Sequence, residues 1–170
     1  MAKEDYLRRS PIRFDDADYQ ACYEYWLSIK GDKLAPTWSQ WSWMELPTAL
    51  IPYFLVVDVR QDPVDFVFRF WGAAYVTMHG IDMTGMSVRE IRSSVTAKNT
   101  FDQYLEVLET RQAIGSSYTV QAGENGLPYV QTSLRMPVSN DGENVDMIIT
   151  FADWRKDRKQ IRDEHIQTYG

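Results

Sequence analysis

The chain has few of the side chains that carry covalent, redox or metal chemistry. Its 170 residues include one cysteine, Cys22, and two histidines, His79 and His165. A single cysteine makes no internal disulfide and no CxxC pair. With two imidazoles, a zinc site would have to lean on carboxylates, and no clustered ligand spacing occurs. A Ser-His-Asp triad would need one of those histidines, and no GxSxG elbow is there to hold a serine. No GxxxxGK[ST] phosphate loop occurs either. No apolar run approaches the roughly 18 residues of a membrane span. The leading MAKEDYLRRSPIRFDDAD lacks the apolar stretch of a secretory signal, so the expected compartment is the cytoplasm. Basic residues are outnumbered, 18 Lys and Arg against 24 Asp and Glu, which gives a formal charge of −6. That balance disfavours a nucleic-acid binder.

Aromatic residues are abundant: 14 % of the chain, including six Trp, within an apolar share of 44 %. This is enough for one domain with a real core. Residues 1–17 read as a polar lead-in, residues 18–153 as the domain with its first helix, and residues 154–170 as a polar C-terminal helix. In DADYQACYEYWLSIKG, Asp16 or Asp18 caps a helix and Gly31 ends it. Tyr19, Cys22, Tyr23, Trp26 and Ile29 recur at three- and four-residue steps and form an aromatic stripe. Such a stripe packs on its own domain or serves as a dimer or partner face. Next, Trp38, Trp41 and Trp43 sit among Pro36, Pro47 and Pro52, which predicts short helical turns or an irregular wrap.

FLVVDVR and FVFRFWG, joined by a short turn, read as a hairpin. On its second strand Phe66, Phe68 and Phe70 are expected on one face, with Val67, Arg69 and Trp71 on the other. A short helix AAYVTMH follows, then GIDMTGMSVREI. There, Gly80 and Gly85 supply positive φ, Asp82 or Thr84 accepts backbone N–H groups, and Ser87 with Glu90 forms a capping box. One Asp with no later acidic ligands makes no calcium loop, so the stretch reads as a structural turn. A longer helix, TAKNTFDQYLEVLETRQA, carries Phe101, Tyr104, Leu105 and Leu108 on its apolar stripe and is expected to close at Gly115. Three strands complete the chain. The fold class is α+β, with a mostly antiparallel sheet flanked by helices.

This order, together with the run FRFWGAAYVTMHGIDMTGMSVREI, resembles the PAS family over about residues 20 to 153. It is most similar to an alphaproteobacterial-type PAS subfamily, through Leu50-Ile51-Pro52 with Asp58, Arg69 to Gly72, and Gly80 to Gly85. The resemblance implies a five-stranded antiparallel sheet with a helical flank. It also implies a stand-alone sensory or interaction module. The chain ends soon after its last strand, so output is expected through contact with another, unidentified protein, and a homodimer is expected through Tyr19, Tyr23 and Trp26. No cofactor is expected, because the reactive core cysteine of light-sensing PAS domains and the long-helix histidine of haem-binding ones are missing.

A small organic ligand would be lined by Phe68, Tyr75, Met78, His79, Met83, Leu134 and Met147. Ordinary core filling accounts for the same residues, since interiors pack densely and Met fills gaps. His79 reads as a helix-end residue rather than a ligand. Arg69 and Arg135 stand mid-strand among apolar neighbours. They bind a carboxylate ligand, pair with Asp58, or lie at a sheet edge; pairing is favoured, because a buried Arg needs a partner. A dedicated binding protein and a small enzyme are the alternatives. For the enzyme, Asp58 or Asp82 with His79 would supply acid and base, though no spacing singles them out.

Overall fold

The computed structural model describes residues 14–121 and 128–157. Helix α1 spans Ala17–Lys30. The Asp16 carboxylate accepts the N–H groups of Asp18 and Tyr19 at 2.9 and 3.1 Å, satisfying donors that an uncapped first turn leaves bare. Gly31 (φ 57°) ends the helix. The proline-broken tryptophan segment then forms three 3₁₀ turns, Trp38–Gln40, Trp43–Glu45 and Thr48–Tyr53.

The sheet comprises β1 (Phe54–Arg60), β2 (Asp65–Trp71), β3 (Ile114–Gln121), β4 (Pro128–Val138) and β5 (Met147–Phe151). Between β2 and β3 lie α2 (Ala73–His79), a 3₁₀ turn at Val88–Glu90, and α3 (Ser94–Thr110). The strand order is β2-β1-β5-β4-β3, and every neighbouring pair is antiparallel. This is an α+β fold, a five-stranded antiparallel sheet with a helical flank.

Both faces of the sheet are buried. On one, Phe54, Val56, Leu134, Met136, Met147, Ile149 and Phe151 meet α1 through Tyr19, Cys22, Tyr23 and Trp26. On the other, Leu55, Val57, Phe66, Phe68, Trp71 and Ile148 meet α2 and α3 through Tyr75, Tyr104 and Val107. A sheet covered on both sides needs both strand parities to be largely apolar.

The stretch GIDMTGMSVRE is a structural turn. Gly80 takes φ 73° as the C-cap of α2. Asp82 accepts Thr84 N–H at 2.9 Å and the Thr84 hydroxyl at 2.7 Å. Gly85 takes φ 85° and donates its N–H to Phe68 O at 2.7 Å, which ties the turn to β2. Ser87 N–H donates to Glu90 at 2.7 Å while Ser87 Oγ accepts Arg89 N–H, closing the capping box.

Two expectations are corrected. Phe70 does not share a face with Phe66 and Phe68. In the β1–β2 register Val56 faces Phe70 and Val57 faces Phe68, so Arg69 is an inserted bulge residue that reverses the parity beyond it. Phe70 therefore packs on the α1 side, and Trp71 joins Phe68 on the α3 side. The long helix ends not at Gly115 but at Arg111, a left-handed C-cap with φ 54°, and Gly115 lies within β3 opposite Leu134. The C-terminal helix begins at Trp154; its polar continuation, the lead-in and the ENG turn fall outside the described residues.

Candidate functional site

The residues expected to line one cavity are divided between two layers. Phe68, Tyr75 and Met83 are buried on the α3 side of the sheet. Leu134 and Met147 are buried on the opposite side, against α1. No single pocket can be lined by both sets with the sheet between them. Met78 and His79 are exposed on α2, Met78 at 47 %. The His79 ring stacks parallel to Tyr75 with centroids 6.3 Å apart and lies 5.5 Å from Trp71, and partial burial lowers its pKa.

Tyr19, Tyr23 and Trp26 are spent on the domain itself. All three are buried against the sheet. Trp26 Nε1 donates to Pro137 O at 2.9 Å. Tyr19 Oη donates to Thr132 O at 2.9 Å and accepts Asp153 N–H at 2.8 Å. In this fold they are not available as an exposed dimer face.

The chemistry lies instead in a row of residues across the α3 face. The registers align Ile114, Arg135, Thr150, Leu55 and Trp71, one from each strand. Arg135 is 8 % exposed. It donates Nη1–H to Ser133 Oγ at 2.5 Å, and its guanidinium lies 5.3 Å from the centre of the Tyr104 ring. Ser133 Oγ is itself 2.8 Å from Ser116 Oγ on β3. Thr150 Oγ1 donates to Tyr104 Oη at 3.2 Å. Burial raises the Tyr104 pKa, against the pull of the neighbouring Arg135.

Every neighbour that Arg135 contacts here is neutral. Among the described residues, no carboxylate lies within ion-pair distance of it. Its Nε–H is buried without a hydrogen-bond partner, as are Trp71 Nε1–H at the far end of the row and Gln103 Oε1 on α3 beside Tyr104. Buried polar groups are almost always satisfied, so three on one layer mark a place with work to do. Arg69 behaves differently, with its Nε–H donating to Asp58 Oδ1 at 2.7 Å. The sequence flagged both arginines, but pairing holds only for Arg69.

The sequence reading missed Ser116, Ser133, Thr150 and Gln103. A signal was there: Ser133 and Arg135 are two apart on one strand, so they share a face, while Leu134, Met136 and Val138 take the other.

Elsewhere, the acid–base candidates are occupied: Asp58 by Arg69, and Asp82 by Thr84. Burial pushes the Cys22 thiol up to about 12, far from a nucleophile's range. Among the described residues, no group of three or more His, Cys, Asp and Glu is placed to hold a metal, and no helix is long and apolar enough to cross a membrane.

No family model matches the chain, and no curated protein matches it. Solved structures do. The VqmA–ligand–DNA complex of Vibrio cholera is 17 % identical, with 61 % of this chain and 46 % of that one covered at a TM-score of 0.46. The light-oxygen-voltage (LOV) protein of Rhodobacter sphaeroides is 14 % identical, with 59 % and 57 % covered at 0.41. The LOV domain of the blue-light photoreceptor Aureochrome1, in its dark structure, is 10 % identical, with 75 % and 94 % covered at 0.44. The chain thus spans about half the length of VqmA.

Proposed function

We propose that the chain is a PAS-like sensory module that holds a small organic molecule between its sheet and α3, and passes occupancy of that site to a protein partner. One observation carries the reading: three polar groups, Arg135 Nε, Gln103 Oε1 and Trp71 Nε1, are buried without partners in the α3-side layer, where the buried Ser116, Ser133 and Thr150 all have theirs. A ligand site is an apolar concavity with a few placed polar groups, and this face has that composition. The filled hydrogen bonds of Asp58 and Asp82 favour a binding module over an enzyme. Kinship with the alphaproteobacterial PAS subfamily, a cytoplasmic location and a homodimer belong to the same reading and rest on the sequence motifs. In such a homodimer the contact uses surfaces other than Tyr19, Tyr23 and Trp26.

The test is native mass spectrometry of protein purified from its own host, with denaturing mass spectrometry beside it. The reading expects a small extra mass that leaves on denaturation. An apo spectrum, together with no thermal stabilisation by a broad metabolite panel, would remove its support.

A further inference from the structure

We infer that the molecule held on the α3 face is a monocarboxylate with an apolar body, and that Arg135 is the residue that binds its head group. The inference rests on the ligand-binding reading above and names the chemistry of that site.

A guanidinium stays charged under all physiological conditions. Taking it out of water is costly unless an anion compensates. Arg135 is more than nine-tenths buried, yet its contacts are a serine hydroxyl and an aromatic face. Neither supplies the missing negative charge. The compensating anion therefore comes from outside the described chain. With Nη1 already committed to Ser133, the free Nε–H is the donor to a carboxylate oxygen.

The row fixes the rest of the ligand. From Arg135 it passes Thr150 and Leu55 to Trp71, three strand spacings away, or about 14 Å at the usual interstrand distance. Thr150 is already bonded to Tyr104, so the middle of the row, buried under α3, has hydrocarbon and aromatic groups and no free donor. A chain of about eight carbons runs most of that length. One end calls for a single negative charge and the middle for apolar contact, while at the far end the Trp71 Nε1–H is a donor that an eight-carbon chain stops short of.

The test uses the full chain and two probes of equal length, sodium octanoate and octanamide. Thermal unfolding and calorimetric titration are recorded for wild type, Arg135→Met and Arg135→Lys. Octanoate is expected to raise the wild-type melting temperature, with octanamide giving little or no shift. Affinity for octanoate should fall about ten- to a hundredfold in Arg135→Met, the usual range for losing a charge-assisted hydrogen bond, and less in Arg135→Lys. Without ligand, Arg135→Met should unfold no earlier than wild type, because it removes an uncompensated buried charge.

Equal binding of the two probes, retention of octanoate affinity in Arg135→Met, or no octanoate binding at all overturns the inference. Should Arg135→Met fail to fold, the nitrogen resonance of the Arg135 Nε–H in the wild-type protein decides: octanoate must shift it and octanamide must not. A neutral co-purified molecule would overturn the carboxylate and leave the ligand-binding module standing. An apo protein would remove the module itself.

Discussion

At the scale of single residues, three positions carry consequences beyond the site. Gly72 is held by space rather than by conformation. A Cβ there would meet Pro52 O at 2.2 Å and Phe54 O at 2.6 Å, both backbone atoms that cannot swing away. Gly72→Ala is expected to cost at least the 1–3 kcal/mol of ordinary overpacking, measured by urea unfolding. An unchanged midpoint would mean that the end of β2 is looser than described. Tyr19 Oη bridges Thr132 O and Asp153 N–H across the domain. Tyr19→Phe leaves that buried N–H without its acceptor and is expected to cost about 1–3 kcal/mol, read from the same curves.

Asp157 is the third. Burial raises its pKa to about 6, against the Thr132 N–H it accepts at 3.4 Å, and nearby Asp153 adds to the rise. The folded value lies above the unfolded one of about 3.9, so folding favours the protonated form. Its contribution is fully present below about pH 4 and is lost as pH rises through about 6. The wild type is expected to gain on the order of 2 kcal/mol from this group on acidification from pH 7 to pH 4.5, and Asp157→Asn should flatten that slope. Parallel slopes for the two proteins would show that Asp157 is not the titrating group.

At the scale of elements, α1 is a structural cover for one sheet face. Trp26 is buried among Leu50, Met136 and their neighbours and is hydrogen-bonded to Pro137 O. Trp26→Ala is therefore expected to destabilise the domain by about 3–5 kcal/mol in chemical denaturation, the range for emptying a large core side chain. A dimer that dissociates with the monomer's stability intact would instead restore α1 as an interface helix. Where local rules act alone, the sequence was legible. The Asp16 cap, the Gly31 stop, the GIDMTG turn and the Ser87–Glu90 box each follow from residues within one turn of one another. The failures are non-local. The bulge at Arg69 cannot be seen in alternation, because Phe66, Phe68 and Phe70 keep an unbroken apolar parity although Phe70 packs on the opposite face. Leu134 and Met147 were placed correctly in strands, but which helix covers which parity is decided by packing. Arg135 was visible as an oddity; that Asp58 pairs with Arg69 and leaves Arg135 unmatched needed three-dimensional neighbours.

At the scale of the whole molecule, the sheet divides two tasks between its faces. The α1 side is a dense aromatic core, with Tyr19, Phe54 and Phe151 in contact and Trp41 and Trp43 around them. The α3 side mixes comparable packing with the buried Ser116, Ser133, Thr150 and Arg135, and it is the side where a buried charge lacks a counter-charge, whereas the α1 side leaves only the neutral Trp41 Nε1–H unpartnered among the described residues. A fold that only had to be stable would gain by replacing a buried unpaired arginine with an apolar residue of similar volume. Keeping it costs stability that binding can return. The central claim, a ligand on the α3 face, is tested most directly by a crystal structure of protein purified from its own host. The account expects density for an organic molecule over the Arg135–Trp71 row, with an acceptor oxygen about 3 Å from Arg135 Nε. A row closed by packed side chains, with a protein carboxylate on Arg135 and no bound molecule, would contradict it.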